Sequence, residues 1–200
     1  MDGGIHLRLL SLGDKTLQET HYHVSLFFDA DIVDLTYKDA SIQTIYRLLV
    51  KFLCEAYNPR DEYVALIQIP TTKRLELRHD TNQNTDFFDN NYFVYYPRSK
   101  DFPKLIYAKL KKFNAPIFEQ KMINNRHSYF IYAISNLLEI YNIDYIMFNA
   151  DEPLDKDIPV PKNYFAPYAY NKTANYVLDQ EETELYYSQK LTRFYRDHCS

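Results

Sequence analysis

The chain has three glycines, Gly3, Gly4 and Gly13, and none from Asp14 to Ser200. Glycine takes positive φ without strain and lets the backbone approach a ligand or another chain segment closely. A phosphate-cradling loop needs both properties. The sequence accordingly holds no G-x-G-x-x-G fingerprint, no G-x-x-x-x-G-K-[ST] loop and no G-x-S-x-G elbow. Dinucleotide dehydrogenases, P-loop NTPases, ordinary kinases and α/β-hydrolases are disfavoured on that ground. Left-handed turns must fall to Asn and Asp, with Asn90-Asn91 and Asn124-Asn125 as candidate positions.

Hydrophobic patterning divides the chain. Residues 5–12 and 21–28 read as strands, with turn chemistry at Gly13-Asp14 between them. Thr36 with Asp39 resembles a capping box and opens a helix whose face carries Ile42, Ile45, Tyr46, Leu49, Leu53 and Ala56. Asn58-Pro59 ends it. Strand character follows at 62–69, with 73–78 as a possible hairpin partner, then a polar loop at 79–91 and an aromatic strand at 92–96. Residues 103–113 lean towards helix, 116–122 read as a short strand, 126–141 as a long helix and 144–148 as a buried strand. Pro153, Pro159, Pro161 and Pro167 then interrupt any pattern, and Thr173 caps a last helix running to about His198. The fold predicted is mixed α+β and helix-rich, with four main helices and short strands. It divides into a core at 1–149, an extended Pro/Tyr-rich arm at 150–172 and a C-terminal helix at 173–200.

The net charge of −4 provides no general attraction to nucleic acid. The lysines between Lys104 and Lys112 read as the solvated face of one element. No apolar stretch reaches the roughly 20 residues of a membrane span, and no signal peptide is visible, so an intracellular, non-membrane protein is predicted. Cys54 falls within the helical pattern and reads as a small buried hydrophobe. Cys199, next to the last residue, is the candidate for an interchain disulfide.

His21-Tyr22-His23 is the sharpest chemical pattern. On a strand, two histidines flanking one residue share a face and can share a divalent metal. The pattern resembles the His-hydrophobic-His motif of rolling-circle replication and transposition nucleases. That resemblance implies metal binding by His21 and His23 and attack on DNA by a tyrosine, for which Tyr107 is the candidate. His23-Val-Ser25 resembles the His-x-Ser/Thr element of two-histidine phosphoesterases, with His79-Asp-Thr81 matching the letters of a second copy. Glu119-Gln-Lys121 after Asp101 has the acidic-x-Lys spacing of metal-dependent nucleases, a triplet that chance supplies in a chain with 27 acids and 23 bases. The preferred reading is non-enzymatic and needs no cofactor.

That preference rests on the aromatic excess, with 20 tyrosines, 13 phenylalanines and no tryptophan. An A+T-rich genome accounts for part of it. Tyrosine also buries much area at little entropic cost and keeps one wet end, which suits interfaces. Tyr164, Tyr168, Tyr170 and Tyr186 are the candidate assembly contacts. The composition and layout are similar to those of viral occlusion-body proteins, the polyhedrins. The resemblance implies a structural protein made in an infected host cell, with other copies of itself as partner. Tyrosine ionises near pH 10, so a lattice of tyrosine contacts should dissolve in alkali. The alternatives are a metal-dependent nucleic-acid-processing enzyme of the His-x-His class and a viral factor that binds a host protein.

Overall fold

The computed structural model describes residues 6–15, 22, 24–26, 28–72, 74–78, 92–95, 120–149, 158–161 and 163–165. In chain order the described elements are β1 (Leu7–Asp14), a short helix α1 (described at 22, 24–26 and 28), β2 (Asp31–Tyr37), α2 (Ile42–Glu55), β3 (Glu62–Ile69), β4 (Leu75–Arg78), β5 (Tyr92–Tyr95), α3 (Gln120–Ile140), β6 (Asp144–Asn149) and β7 (Tyr164–Phe165). Five strands form one sheet in the order β2-β1-β3-β6-β7, and every neighbouring pair in it is parallel. Four of them are full strands and β7 contributes two residues. β4 and β5 pair antiparallel in a separate ribbon.

Helices cover both faces of this sheet. Leu10, Leu12, Ala65, Ile67, Ile69, Tyr145 and Met147 point to one face, where Ile45, Leu49 and Phe52 of α2 and Ile131, Ile134 and Leu138 of α3 meet them. Leu9, Val64, Leu66, Ile146 and Phe148 point to the other, where Val24 of α1 packs. The alternation is the period-two geometry of a strand, and with both faces buried each strand reads as a continuous apolar run. The helix face follows from handedness. The β1-to-β2 crossover moves one way across the sheet and uses α1, whereas β2-to-β3 and β3-to-β6 move the other way and use α2 and α3. A right-handed crossover that reverses direction must put its helix on the opposite face.

Several sequence expectations are corrected here. The mixed character stands, but the helix-rich picture of four main helices does not: the described residues hold two long helices, one short one and a parallel sheet. The described residues of 21–28 are helical, because a short apolar run suits a buried helix as well as a strand. Thr36 lies in β2, and the α2 cap is Ser41, which forms a capping box with Thr44. β4 pairs with β5 and not with β3. Asn124 and Asn125 lie inside α3, as do residues 120–122. Left-handed backbone is nonetheless supplied by Asp29, Asp39 and Asn142, the residue types that tolerate it best after glycine. Within 150–172, Ile158 is buried in the main core and β7 extends the sheet. Residues 103–113 and 173–200 lie outside the described residues.

Candidate functional site

In a doubly wound parallel sheet the connections diverge at one point, here between β1 and β3, and the carboxyl ends of those strands border a crevice where such sheets hold their ligands. β1 delivers Gly13 and Asp14 to this edge, and β3 delivers Gln68 and Ile69. At this point Gln68 closes on Gly13. Gly13 has φ +146°, and a Cβ there would lie 2.6 Å from Cβ of Gln68. The space beside the glycine, which phosphate-binding sheets give to a ligand, is occupied here by the Gln68 side chain. Its Oε1 accepts from the Asp14 backbone N–H at 2.8 Å. Asp14 and Gln68 are both buried, and the Asp14 carboxylate pairs with Nη1 of Arg74, which also donates to the Ala40 carbonyl at 3.3 Å. Arg74 thereby ties the segment after β3 to β1 and to the entrance of α2.

A second polar cluster docks β4 on the first two turns of α2. Gln43, Thr44 and Arg47 lie close together on the helix surface through their i, i+1, i+4 spacing. Gln43 Oε1 accepts from the Glu76 backbone N–H at 3.0 Å, Thr44 Oγ1 donates to Glu76 Oε2 at 2.5 Å, and Arg47 Nε donates to Glu76 Oε1 at 2.8 Å. Glu76 and Arg47 are buried, so this is an ion pair in low dielectric whose partners are also hydrogen-bonded. On α3, His127 is fully buried and its Nε2–H donates to the Pro70 carbonyl at 3.1 Å, just beyond the end of β3. Burial, helped by the nearby Arg126 charge, pulls its pKa down to about 4, and Nδ1 has no hydrogen-bond partner. Burial also lowers the pKa of Arg126.

The Asp14, Gln68 and Arg74 groups, and the Glu76, Thr44 and Arg47 groups, satisfy one another within the described residues. Among the described residues, no three of His, Cys, Asp and Glu stand together to hold a metal ion. At the opposite edge, a solvent-open groove of about 640 Å³ is bordered by Tyr57, Tyr63, Tyr141 and Asp144. Its tyrosines are engaged by the fold: the rings of Tyr57 and Tyr141 meet edge to face at 5.1 Å, and Tyr57 Oη donates to the Tyr141 carbonyl at 3.2 Å.

Among the described residues, the most open apolar surface lies on the outer side of α3. Met122 is 52% exposed, Tyr129 67%, Tyr132 42% and Ile140 76%. Asn125 and Asn136 complete the stripe, and from Met122 to Asn136 its exposed residues carry no charge. The inner side of the same helix is apolar too, through Ile131, Ile134 and Leu138. An exposed helical face normally carries charge, so a solvent-facing stripe of Tyr, Met and Asn has the composition of an interface.

Of the residues singled out by sequence, His21, His23, Tyr107, His79, Asp101, Glu119, Tyr168, Tyr170, Tyr186 and Cys199 lie outside the described residues. Tyr22 and Val24, the described neighbours of His21 and His23, are helical. Ser25 is buried with its hydroxyl donating to the Tyr22 carbonyl at 2.7 Å. Tyr164 is partly buried and donates to Asn149 Oδ1 at 2.7 Å. Cys54 is exposed, a correction to its expected burial: it lies away from the Ile45, Leu49, Phe52 and Leu53 face of α2. The sequence pattern groups Tyr129 with Phe130, Ala133, Ile134, Leu137, Leu138 and Tyr141 on one apolar face of the 126–141 helix, and the structure corrects this by exposing Tyr129; Tyr132 is not singled out by the pattern. No described helix is long and apolar enough to cross a membrane. Comparison with family models, curated proteins and solved structures finds no match for this chain.

Proposed function

We propose that this chain is a self-associating structural protein whose copies meet through the outer face of α3. The observation that carries the reading is the exposed stripe containing Met122, Tyr129, Tyr132 and Ile140, whose exposed residues are uncharged from Met122 to Asn136, on a helix whose other side already serves the core. Burying the middle of such a stripe removes apolar area from water while its exposed charges, Lys121 and Glu139, stay at the ends. The tyrosine-rich composition supports the same reading, and Cys199 offers a thiol for a covalent link between copies.

Sedimentation velocity of the full chain over a hundredfold concentration range tests this. Association that increases with concentration is expected, together with its loss in the double variant Tyr129→Lys/Tyr132→Lys, whose two added charges must be desolvated for the face to close. A wild type that is monomeric throughout, or a folded variant that associates as the wild type does, overturns the proposal.

A further inference from the structure

The stripe on α3 has a repeat and a symmetry. Of its exposed residues, Met122, Asn125, Tyr129, Tyr132, Asn136 and Glu139 stand alternately three and four apart, with Lys121 and Ile140 beside the two ends. That is the 3.5-residue period of a coiled-coil seam, on which residues stay aligned towards a second helix as the pair supercoils. The order is also nearly palindromic about a point between Tyr129 and Tyr132. Asn125 and Asn136 lie equally far from that point, as do Met122 and Glu139, and Lys121 and Ile140.

A two-fold axis through that point turns α3 into an antiparallel partner for itself. From this geometry we infer that the occupant of the face is the α3 of a second copy, in an isologous antiparallel pair; the inference rests on the self-association proposed above. Tyr129 meets Tyr132 of the second copy twice across the axis, and Asn125 meets its Asn136, so polar faces polar and aromatic faces aromatic. At each end, Met122 falls level with Glu139 and Lys121 with Ile140 of the second copy, which leaves Lys121 one residue from the level of Glu139, within reach for a pairing of opposite charge. A parallel pair would place Lys121 against Lys121 and Glu139 against Glu139, and like charges across the seam oppose it.

The arrangement has consequences for assembly. An isologous contact uses the same patch on both copies and closes on itself, so α3 makes a dimer and no chain of dimers. Any lattice needs another surface. Met122 to Ile140 spans about 27 Å at 1.5 Å per residue, and one helix face of that length covers on the order of 500 Å² per copy, short of the ~800 Å² of a standard stable interface. The dimer should therefore dissociate on dilution and be locked by a cross-link.

Cysteine pairing tests the register in a full-length background with Cys54→Ser and Cys199→Ser. Asn125→Cys and Asn136→Cys are made as separate exposed-site variants, checked for folding by circular dichroism, and oxidised alone or as an equimolar mixture. The antiparallel pair brings 125 against 136, so the mixed disulfide dimer should exceed either homodimer by about tenfold, because a disulfide needs Cβ atoms roughly 4 Å apart. Homodimers dominating each separate variant would show a parallel seam and overturn the inference while leaving self-association intact. Absence of cross-linking in a background that still sediments as a dimer would place the contact elsewhere, with the same consequence. A background that sediments as a monomer overturns both this inference and the reading beneath it.

Discussion

Replacing Gly13 by alanine tests the account of the carboxyl edge most directly. The backbone there has φ +146°, a conformation that L side chains rarely adopt, and residues held in such regions cost about 1–3 kcal/mol. The added methyl would also meet Gln68 Cβ at 2.6 Å and Oε1 at 2.9 Å. Real Cβ contacts are not that short, so β1 and β3 must part, and overpacking of a well-filled interior costs roughly a further 1–3 kcal/mol. A loss of about 2–5 kcal/mol in unfolding free energy is expected, large against the ~5–15 kcal/mol of an ordinary domain. Urea unfolding followed by circular dichroism measures it from the shift in midpoint. Gln68→Ala separates the causes. It removes the acceptor of the Asp14 N–H but keeps the Cβ that the new methyl strikes. Shortening Gln68 should thus fail to rescue Gly13→Ala, and the double variant should be at least as unstable as either single one. A Gly13→Ala loss below about 0.5 kcal/mol, a size usual for surface substitutions, would refute the reasoning, since neither the φ nor the close approach would then be binding constraints.

Two further perturbations probe the same architecture. Glu76→Ala leaves Arg47 buried without its carboxylate and takes the acceptor from Thr44, and breaking a buried pair in this way should cost about 3–5 kcal/mol in urea unfolding; a loss under 1 kcal/mol would show that water or another acid takes over. His127, with its folded pKa lowered from 6.5 to about 4, makes stability depend on pH. Between those values the unfolded chain binds the proton and the folded chain does not, so the contribution is complete above pH 6.5 and lost as pH falls towards 4. A shift of that size corresponds to about 3 kcal/mol across the window. The pH slope of the urea midpoint should flatten in His127→Phe; a slope unchanged by the substitution would assign it to other groups.

Much of the local structure was legible because its causes are local. Ile42, Ile45 and Leu49 mark α2 by their spacing, Asn58-Pro59 marks where it gives way, and Asp29, Asp39 and Asn142 take the left-handed positions that absent glycines leave to Asn and Asp. β2 was missed because Asp31–Tyr37 is mostly exposed and mixes charge with apolar residues, which hides the alternation of an edge strand. α1 was misread because a short apolar run has no period long enough to separate helix from strand. The missing glycines excluded phosphate loops, yet they did not exclude a doubly wound sheet, since the loop and the sheet are separable.

The sequence alone decided the helix-forming periods, the turn residues and the shortage of glycine, all set by neighbours a few positions away. Tertiary structure decided what those pieces are used for. Gly13 is required because Gln68 comes to it from 55 positions along the chain. Glu76 finds Arg47, and Arg74 finds Asp14, only once α2, β3 and β4 have converged. α3 shows the division most clearly. The helix carries large apolar or aromatic side chains on both its inner and its outer side, so its sequence offers two stripes with a claim to the core. The parallel sheet takes Ile131, Ile134 and Leu138, and in doing so leaves Tyr129 and Tyr132 facing water. Periodicity fixes which residues share a face, but only a packing partner determines which face is buried.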